Sequence, residues 1–328
     1  MNIELLHLLR CPKSNNKLIL SDEFYENGEI KEGILTSQDM KYSYIISNFI
    51  PRFVNISNYA DNFGMQWNYF SKTQLDSHSG FPISNDRFWK ATGWEPNSLK
   101  DEWVLDIGCG SGRFAEIALN AGAKVVALDY SNSVNACYDN LKQHKNLYVV
   151  QGDIYELPFA KNSFKFVYSL GVLQHTPDVK KAFESLPPLV EPNGRLCVDY
   201  YWKRFQTVMH SKYLVRPITK RIPKEKLFNF LKIVVPHLLF LSRFFGKVPL
   251  LGKFLKRMIP VANYSGIYPL TEKQLSEWAL LDTFDMLGPQ YDSPQTKKTI
   301  SQWMSNAGMN EIEILHQTLL VIRGIKKV

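Results

Sequence analysis

The sequence predicts an α/β fold built on a mostly parallel sheet with crossover helices. Strand-like and helix-like segments alternate from Trp103 to Tyr201, which is the pattern of successive strand–helix–strand units. A glycine-rich turn, 108–112, joins the first of these strands to its helix. The chain has 328 residues, 45% of them hydrophobic, so it can hold one large domain with additions or two modest domains.

Eight segments make up the predicted alternation, and we assign residues 101–202 to the core that they form. The predicted strands and helices are, in chain order, Val104–Ile107, helix Phe114–Ala121, Val125–Leu128, helix Ser133–Lys142, Leu147–Gln151, Phe166–Leu170, helix Val179–Leu186 and Leu196–Tyr201. After an insertion, 203–295, the chain is expected to return to the core through residues 296–328. A helix, Thr296–Ala307, and two closing strands, Ile312–Leu315 and Leu319–Ile325, are predicted there as an antiparallel hairpin.

Two segments precede the core. Residues 1–56 are predicted to form a small β-rich unit, in which Leu5–Leu9 suits a short helix and strand-like runs follow at Lys17–Leu20 and Tyr42–Ile46. Residues 57–100 form an aromatic, helical connector. Two interpretations of the connector stay open: it packs its aromatic side chains on the core, or it closes as a lid over a bound ligand.

Composition and charge narrow the class of protein. Four cysteines lie without paired spacing, which argues against a disulfide framework and for a reducing cytoplasm. The apolar run at the N-terminus is too short for a signal peptide. The net charge of +8 comes from residues 203–257, which hold 14 Lys and Arg against Glu225 alone. Because the basic residues belong to one segment, we do not expect a nucleic-acid partner for the whole protein.

The glycine-rich turn carries the strongest functional signal. Glycines at 108, 110 and 112 let the backbone turn tightly and approach a ligand without a Cβ clash. Asp106, two residues before the first glycine, would repel a pyrophosphate but suits the ammonium of a bound amino acid. The motif resembles the D-x-G-x-G-x-G motif of class I S-adenosylmethionine (SAM)-dependent methyltransferases, of the bacterial methyltransferase-11-like type. The resemblance implies a Rossmann-like sheet of seven strands with an antiparallel last strand, and SAM, without a metal, as cofactor.

Downstream residues fit the same resemblance. Asp129 ends the second strand, where a carboxylate can accept hydrogen bonds from ribose hydroxyls. Asp153 resembles the family residue that bonds the adenine amino group, with Ile154 stacking nearby, and the turn from Ser169 to His175 matches the family's S-x-G-V-L-x-H turn. The implied cofactor residues are Asp106, Gly108, Cys109, Gly110, Gly112, Asp129, Tyr130, Gly152, Asp153, Ile154, Ser169 and Leu170.

A general base is needed if the methyl acceptor must lose a proton. His175 is the leading candidate, because it follows the fourth strand at the edge where open α/β sheets bind ligands. The alternative is a structural histidine that caps the following turn. The weaker candidates for the base are Asp199, Tyr200, Tyr201, His210, Tyr264 and Tyr291. The predicted substrate contacts are Tyr69, Tyr264, Asp285 and Tyr291.

The N-terminal unit resembles, in part, the small zinc-binding activator proteins of RNA and protein methyltransferases. These begin with a Leu-rich turn and a Cys-Pro-x-Cys knuckle. Here Cys11-Pro12 is followed by Ser14 where the second cysteine would stand. Since zinc takes about four ligands, we expect the unit to hold no metal.

The basic insertion contains an apolar run, Leu227–Phe245. Lys232 and Arg243 interrupt it, and Pro236 with His237 is expected to break it, so we do not predict a membrane span. Two interpretations stay open: a helical cap over the substrate pocket, or an element that lies on an anionic membrane surface.

The sequence therefore predicts a cytoplasmic methyltransferase, with possible peripheral contact at the inner membrane surface. Its acceptor is expected to be an O or N nucleophile of a small metabolite, sugar or lipid-linked glycan, since the arrangement resembles bacterial methyltransferases of surface-glycan biosynthesis. The alternatives are an RNA methyltransferase and a catalytically silent SAM-binding partner subunit. The sequence does not indicate an oligomeric state.

Overall fold

A computed structural model describes residues 1–54, 61–204, 211–249, 251–316 and 319–327. Its strands form one mixed sheet of eleven strands in the order β1-β2-β3-β4-β7-β6-β5-β8-β9-β11-β10. The strands are β1 (Leu18–Glu26), β2 (Glu29–Ser37), β3 (Ser43–Ser47), β4 (Ile50–Arg52), β5 (Trp103–Ile107), β6 (Lys124–Asp129), β7 (Leu147–Gln151), β8 (Phe164–Ser169), β9 (Val190–Tyr200), β10 (Met309–His316) and β11 (Leu320–Lys326).

Helices cover the sheet and build the insertion. The α-helices are α1 (Asp61–Tyr69), α2 (Asp76–Ser79), α3 (Ile83–Thr92), α4 (Ala115–Asn120), α5 (Ser133–Leu141), α6 (Val179–Glu184), α7 (Lys212–Thr219), α8 (Lys224–Gly246), α9 (Gly252–Met258), α10 (Glu272–Leu287) and α11 (Lys297–Asn306). Short 3₁₀ turns lie at Ile3–His7, Pro96–Leu99, Leu173–His175 and Pro187–Leu189.

The central strands β5 to β9 are parallel, as predicted. Their side chains are buried on both faces of the sheet, with Val104, Val126 and Val167 each 0% exposed, which is the environment that favours continuous apolar strands. The C-terminal hairpin closes the sheet, because β11 pairs antiparallel with β9 and β10 pairs antiparallel with β11. The Rossmann-like α/β prediction is confirmed, and the carboxyl ends of the parallel strands lie at one edge.

The predicted number of seven strands is wrong for the sheet as a whole. The four N-terminal strands continue it, because β4 pairs with β7 through Arg52 and Gln151. Leu5 and Leu9 are 0% exposed and belong to the same apolar core as Phe159, which lies between β7 and β8. Strand β2, which lies between β1 and β3, was missing from the prediction because charged residues and Gly33 interrupt its apolar alternation.

Cys11, the residue of the predicted zinc-knuckle resemblance, lies inside this N-terminal unit. Its Sγ atom is 3.3 Å from the Tyr44 hydroxyl and 3.4 Å from the backbone nitrogen of Ser14. Within the part of the chain that the structure describes, no group of three or more His, Cys, Asp or Glu side chains is arranged to hold a metal ion.

The expected break at Pro236 and His237 is also wrong, since α8 runs without interruption from Lys224 to Gly246. Proline removes one hydrogen bond inside a helix, at a cost of about 3 kcal/mol. Packing offsets this cost, because Leu231, Val235 and Leu239 of α8 are buried in one apolar cluster with Phe284 of α10. By length and composition α8 is the one described helix able to cross a membrane, a criterion that core helices also meet.

Candidate active site

The glycine turn after β5 is built so that only glycine fits. Gly108, Gly110 and Gly112 have φ angles of 82°, 53° and 95°, in the left-handed region. A Cβ on Gly108 would lie 2.4 Å from Val172 Cγ2, and one on Gly112 would lie 2.6 Å from Leu141 Cδ1. The backbone at 108–110 borders a large cavity, so the turn has the open, Cβ-free surface that a bound ligand needs.

Asp129 at the end of β6 holds the turn in place. Its Oδ2 accepts a hydrogen bond of 3.0 Å from the Gly110 backbone nitrogen. Its Oδ1 accepts bonds of 2.8 Å from both the backbone nitrogen and the hydroxyl of Ser131. Asp129 lines the cavity, where the remaining lone pairs of its carboxylate can meet ribose hydroxyls.

Asp106 lies behind the turn and is 2% exposed. Its Oδ2 is buried and has no hydrogen-bond partner among the described residues. Burial raises the pKa of this carboxyl to about 8, and the charge of Asp129 adds to the rise. Asp106 lies behind the wall of the cavity and not in its lining, so its buried carboxylate would act on a bound cation, such as the ammonium of SAM, through the glycine turn.

The other predicted cofactor residues divide into two groups. Those that line the cavity are Gly108, Cys109, Gly110, Asp129, Tyr130, Gly152, Ile154 and Leu170. Those outside its lining are Asp106, Gly112, Asp153 and Ser169. Ser169 donates to the Ile107 carbonyl at 2.9 Å and so ties β8 to β5. Asp153 accepts from the Tyr155 backbone nitrogen at 2.9 Å, and burial raises its pKa.

His175 lines the same cavity from the short turn after β8 and is 6% exposed. Its Nδ1 lies 3.1 Å from the carbonyl oxygen of Tyr291, which can only accept a hydrogen bond. Nδ1 therefore carries the proton in the neutral ring, and Nε2 is the ring nitrogen that can accept a hydrogen bond. Nε2 is 4.0 Å from Asp285 Oδ2, a carboxylate able to stabilise the protonated ring.

The predicted substrate residues are not all at the cavity. Tyr264 and Asp285 line it, whereas Tyr69 and Tyr291 are not among its lining residues. Tyr69 is 57% exposed, with its ring 4.3 Å from Lys232 Nζ. Tyr291 acts on His175 through its backbone carbonyl.

The weaker base candidates separate as well. Asp199 and Tyr201 line the cavity, whereas Tyr200 is fully buried outside it. Asp199 accepts a 2.9 Å hydrogen bond from Arg87 Nη2 and a 2.5 Å hydrogen bond from the Gly171 backbone nitrogen. Both of its carboxylate oxygens are therefore engaged in hydrogen bonds within the protein. His210 lies outside the described residues.

Sequence reasoning missed a polar network among the side chains that line the cavity. Arg113 donates to Gln74 Oε1 at 2.9 Å, and Gln74 donates to Asp282 Oδ1 at 3.1 Å. The Tyr264 hydroxyl bonds the other oxygen of Asp282. Burial raises the pKa of Asp282 to about 6 and lowers that of Arg113 to about 10. Arg113 could have been found from the sequence, because it directly follows the glycine motif. Gln74 lies in the connector and Asp282 in α10, and neither segment has a motif that points to the cavity.

The cavity has a volume of about 1000 Å³, at the upper end of the range for small-molecule sites. Trp67 of the connector forms part of its wall and covers Gly110, since a Cβ there would lie 3.1 Å from Trp67 Cε2. The glycine turn and the His175–Asp285 pair thus face one space, large enough for a nucleoside cofactor and a second molecule.

Residues 105–198 match a protein family described as "Methyltransferase domain". That range runs from β5 to β9 and contains the glycine turn, Asp129 and His175. The chain therefore carries a methyltransferase domain on the strands whose carboxyl ends border the cavity.

Two curated relatives match part of the chain. The sterol 24-C-methyltransferase of Pneumocystis carinii is 33% identical over 117 residues, which are 34% of this chain and 29% of that protein. The demethylmenaquinone methyltransferase of Corynebacterium efficiens is 31% identical over 142 residues, which are 42% of this chain and 60% of that protein. The chain covers less than two thirds of the length of each relative.

Among solved structures, human N-acetylserotonin methyltransferase in complex with SAM is similar at a TM-score of 0.47 and 12% identity. The likeness covers 84% of this chain and 61% of that chain. A score this low carries no inference about function.

Proposed function

We propose that this chain, whose residues 105–198 carry a methyltransferase domain, transfers a methyl group from SAM to an oxygen or nitrogen of a small acceptor. The observation that carries the proposal is the shared cavity: the glycine turn with Asp129 lies on one part of its wall, and His175 with Asp285 on another. A site that binds cofactor and acceptor side by side can supply much of the rate by alignment and exclusion of water.

When bound, SAM supplies a methyl group on a cationic sulfur, which leaves as a neutral thioether when a nucleophile attacks the methyl carbon. The backbone of 108–110 and Asp129 would hold the cofactor, and Asp106 would balance its ammonium. His175 would take the acceptor's proton at Nε2 as the acceptor gains the methyl group, since Nδ1 donates to Tyr291. Asp285, 4.0 Å from Nε2, would stabilise the resulting positive ring.

We propose a small, lipid-like or lipid-linked acceptor rather than an RNA. Trp278, Leu281, Met286 and Val261 give the cavity apolar wall sections beside its charged groups. The two relatives are named for a sterol and a demethylmenaquinone, both small molecules. Outside residues 203–257 the chain holds 25 Lys and Arg against 30 Asp and Glu, a balance that does not favour nucleic acid.

The test is transfer of labelled methyl from SAM into a whole-cell extract by the purified chain, followed by organic–aqueous partition. We expect label in the organic phase. His175→Ala should lower turnover by roughly 10²-fold or more and leave SAM affinity almost unchanged, because the ring acts on the acceptor's proton. His78→Ala, an exposed histidine of α2, is the matched control and should keep full activity.

Three results would contradict parts of this proposal. No transfer to any fraction by a folded, SAM-binding chain would indicate a silent partner subunit. Label that nuclease removes would indicate an RNA acceptor. Full activity of His175→Ala would leave His175 with a structural role only.

A further inference from the structure

Large apolar side chains are exposed together on one side of the insertion. We define the α8–α9 face by Phe230, Ile233, Phe240, Phe244 and Phe254, which are 57%, 69%, 68%, 61% and 57% exposed. Single exposed apolar residues are ordinary on a protein surface, but a contiguous group of this size marks an interaction site.

Helix α8 has two apolar faces that point in different directions. Leu227, Leu231, Val235 and Leu239 form a buried stripe and are at most 3% exposed. At 100° per residue, Phe230, Ile233, Phe240 and Phe244 project to the opposite side of the helix. One face therefore belongs to the core of the insertion, and the structure leaves the other in solvent.

Helix α9 extends the exposed face. It packs against the C-terminal end of α8, where a Cβ on Gly252 would lie 2.5 Å from the Gly246 carbonyl oxygen. Phe254 is exposed on this short helix, and Leu251 just before it is 59% exposed. The two helices thus meet at this end of the insertion, and each exposes large apolar side chains.

The insertion that carries the face is strongly basic. Residues 203–257 hold 14 Lys and Arg and one acid, Glu225. Lys226 is exposed one helical turn before Phe230, and Lys247 is exposed at the end of α8 beside Phe244. A second copy of the same face would bring like charge against like charge, whereas a negatively charged surface would attract both basic residues.

We propose that the α8–α9 face docks on an anionic lipid bilayer. In this arrangement α8 lies in the plane of the bilayer surface, with its phenylalanines in the acyl boundary and its lysines at the headgroups. A spanning orientation does not fit, because the buried stripe of α8 packs against α10 along its length. The docking does not depend on the identity of the methyl acceptor.

Docking would also bring the cavity to the membrane. Lys256 of α9 and the segment that follows it, Ile259 to Asn263, line the cavity. The element that exposes Phe254 to the bilayer is therefore also part of the cavity wall. If the proposed function is correct, an acceptor dissolved in the bilayer reaches the site past this wall.

The experiment is co-sedimentation of the full chain with vesicles of phosphatidylcholine, with or without phosphatidylglycerol. We expect binding to the anionic vesicles at low salt, weaker binding at high salt and little binding to neutral vesicles. The double variant Phe240→Ser/Phe244→Ser should lose at least about tenfold in vesicle affinity, because two apolar side chains no longer enter the bilayer. Phe24→Ser, with an equally exposed phenylalanine (57%) on β1, is the matched control and should bind as the wild type does.

Retained SAM binding by each variant shows that it is folded, and separates this test from that of the catalytic proposal. Failure of the wild-type chain to sediment with anionic vesicles would overturn the proposal. Equal binding by the double variant would overturn the role of the face. Self-association of the wild type that the double variant abolishes would show instead that a second copy covers the face.

Discussion

At the scale of single residues, Asp106 is where the free and cofactor-bound states should differ most. Its carboxyl is buried behind the glycine turn, and one oxygen has no hydrogen-bond partner within the described chain. Burial raises its pKa to about 8 from an ordinary value of 3.8, so the free protein holds a proton there at neutral pH. A cation bound within reach would favour the ionised form and lower the pKa again.

This difference predicts a proton-linked affinity. SAM binding should release a proton from Asp106 near neutral pH, and SAM affinity should rise between about pH 6 and pH 8 before it levels off. Calorimetric titrations in buffers of different ionisation enthalpy measure the release. Asp106→Asn should abolish it, whereas Asp139→Asn, on an exposed carboxylate, should not. Binding without proton release in the wild type would mean that Asp106 supports the turn and does not meet the cofactor's charge.

The same carboxyl has a defined effect on stability. Because its folded pKa is raised, its contribution to the free energy of unfolding is present below about pH 4 and is lost as the pH rises through about 8. A bound cofactor should restore part of that loss. Without a bound cation, Asp106 therefore lowers the free energy of unfolding at neutral pH.

At the scale of elements, α1 connects the insertion to the cavity wall. Its last residue, Tyr69, packs on Phe228 of α8, with the ring centroids 4.9 Å apart. Its inner side covers the cofactor turn, with Gly64 against Asn132 and Trp67 against Gly110. The helix is thus anchored by aromatic packing and forms a wall of the site at the same time.

Trp67→Ala should lower SAM affinity by about tenfold, or about 1.4 kcal/mol, because it removes an apolar wall over the turn. The free energy of unfolding should change less, since Trp67 is only half-buried. Trp89→Ala, a half-buried tryptophan of α3 outside the cavity lining, is the control. Equal SAM affinity of the wild type and Trp67→Ala, measured by titration, would remove α1 from the cofactor site.

Elements with strong local signals were predictable from the sequence. Strands β5 to β7 are short buried runs that end at the predicted residues or within one of them, and the three turn glycines need their positive φ angles. Strand β2 was not predictable, because its own sequence lacks a strand-like alternation and it is held in the sheet by pairing with β1 and β3. The continuity of α8 through Pro236 likewise depends on packing against α10, which the sequence does not display.

The cavity wall around His175 and Asp285 was predictable only in part, because tertiary packing and not local sequence assembles it. His175 and Asp285 lie about 110 residues apart in the chain, and tertiary packing brings them together. Arg87 and Asp282 lie on helices with no motif around them, yet both line the cavity. Local chemistry identifies a turn or a strand end, whereas a pocket wall is assembled from segments that share no pattern.

At the scale of the whole molecule, one sheet joins the N-terminal unit, the methyltransferase domain and the closing hairpin. Arg52 of β4 donates to Gln151 at 2.6 Å and to Asn135 at 2.8 Å, so the junction lies next to the third strand of the core and α5. The insertion then adds a helical layer over the carboxyl edge of that sheet. This arrangement places one cavity between the sheet edge, the connector and the insertion, with the exposed α8–α9 face beside it.

The most direct test of the account is a calorimetric titration of the full chain with SAM. We expect one saturable site for the wild type. Gly108→Ala should abolish binding, because a Cβ on this residue of the glycine turn would lie 2.4 Å from Val172, which follows β8. Gly28→Ala should bind normally, since Gly28 has a φ of 83° like that of Gly108 but open space around it. No saturable binding by the folded wild type, or equal binding by both glycine variants, would contradict the assignment of this turn as the cofactor site.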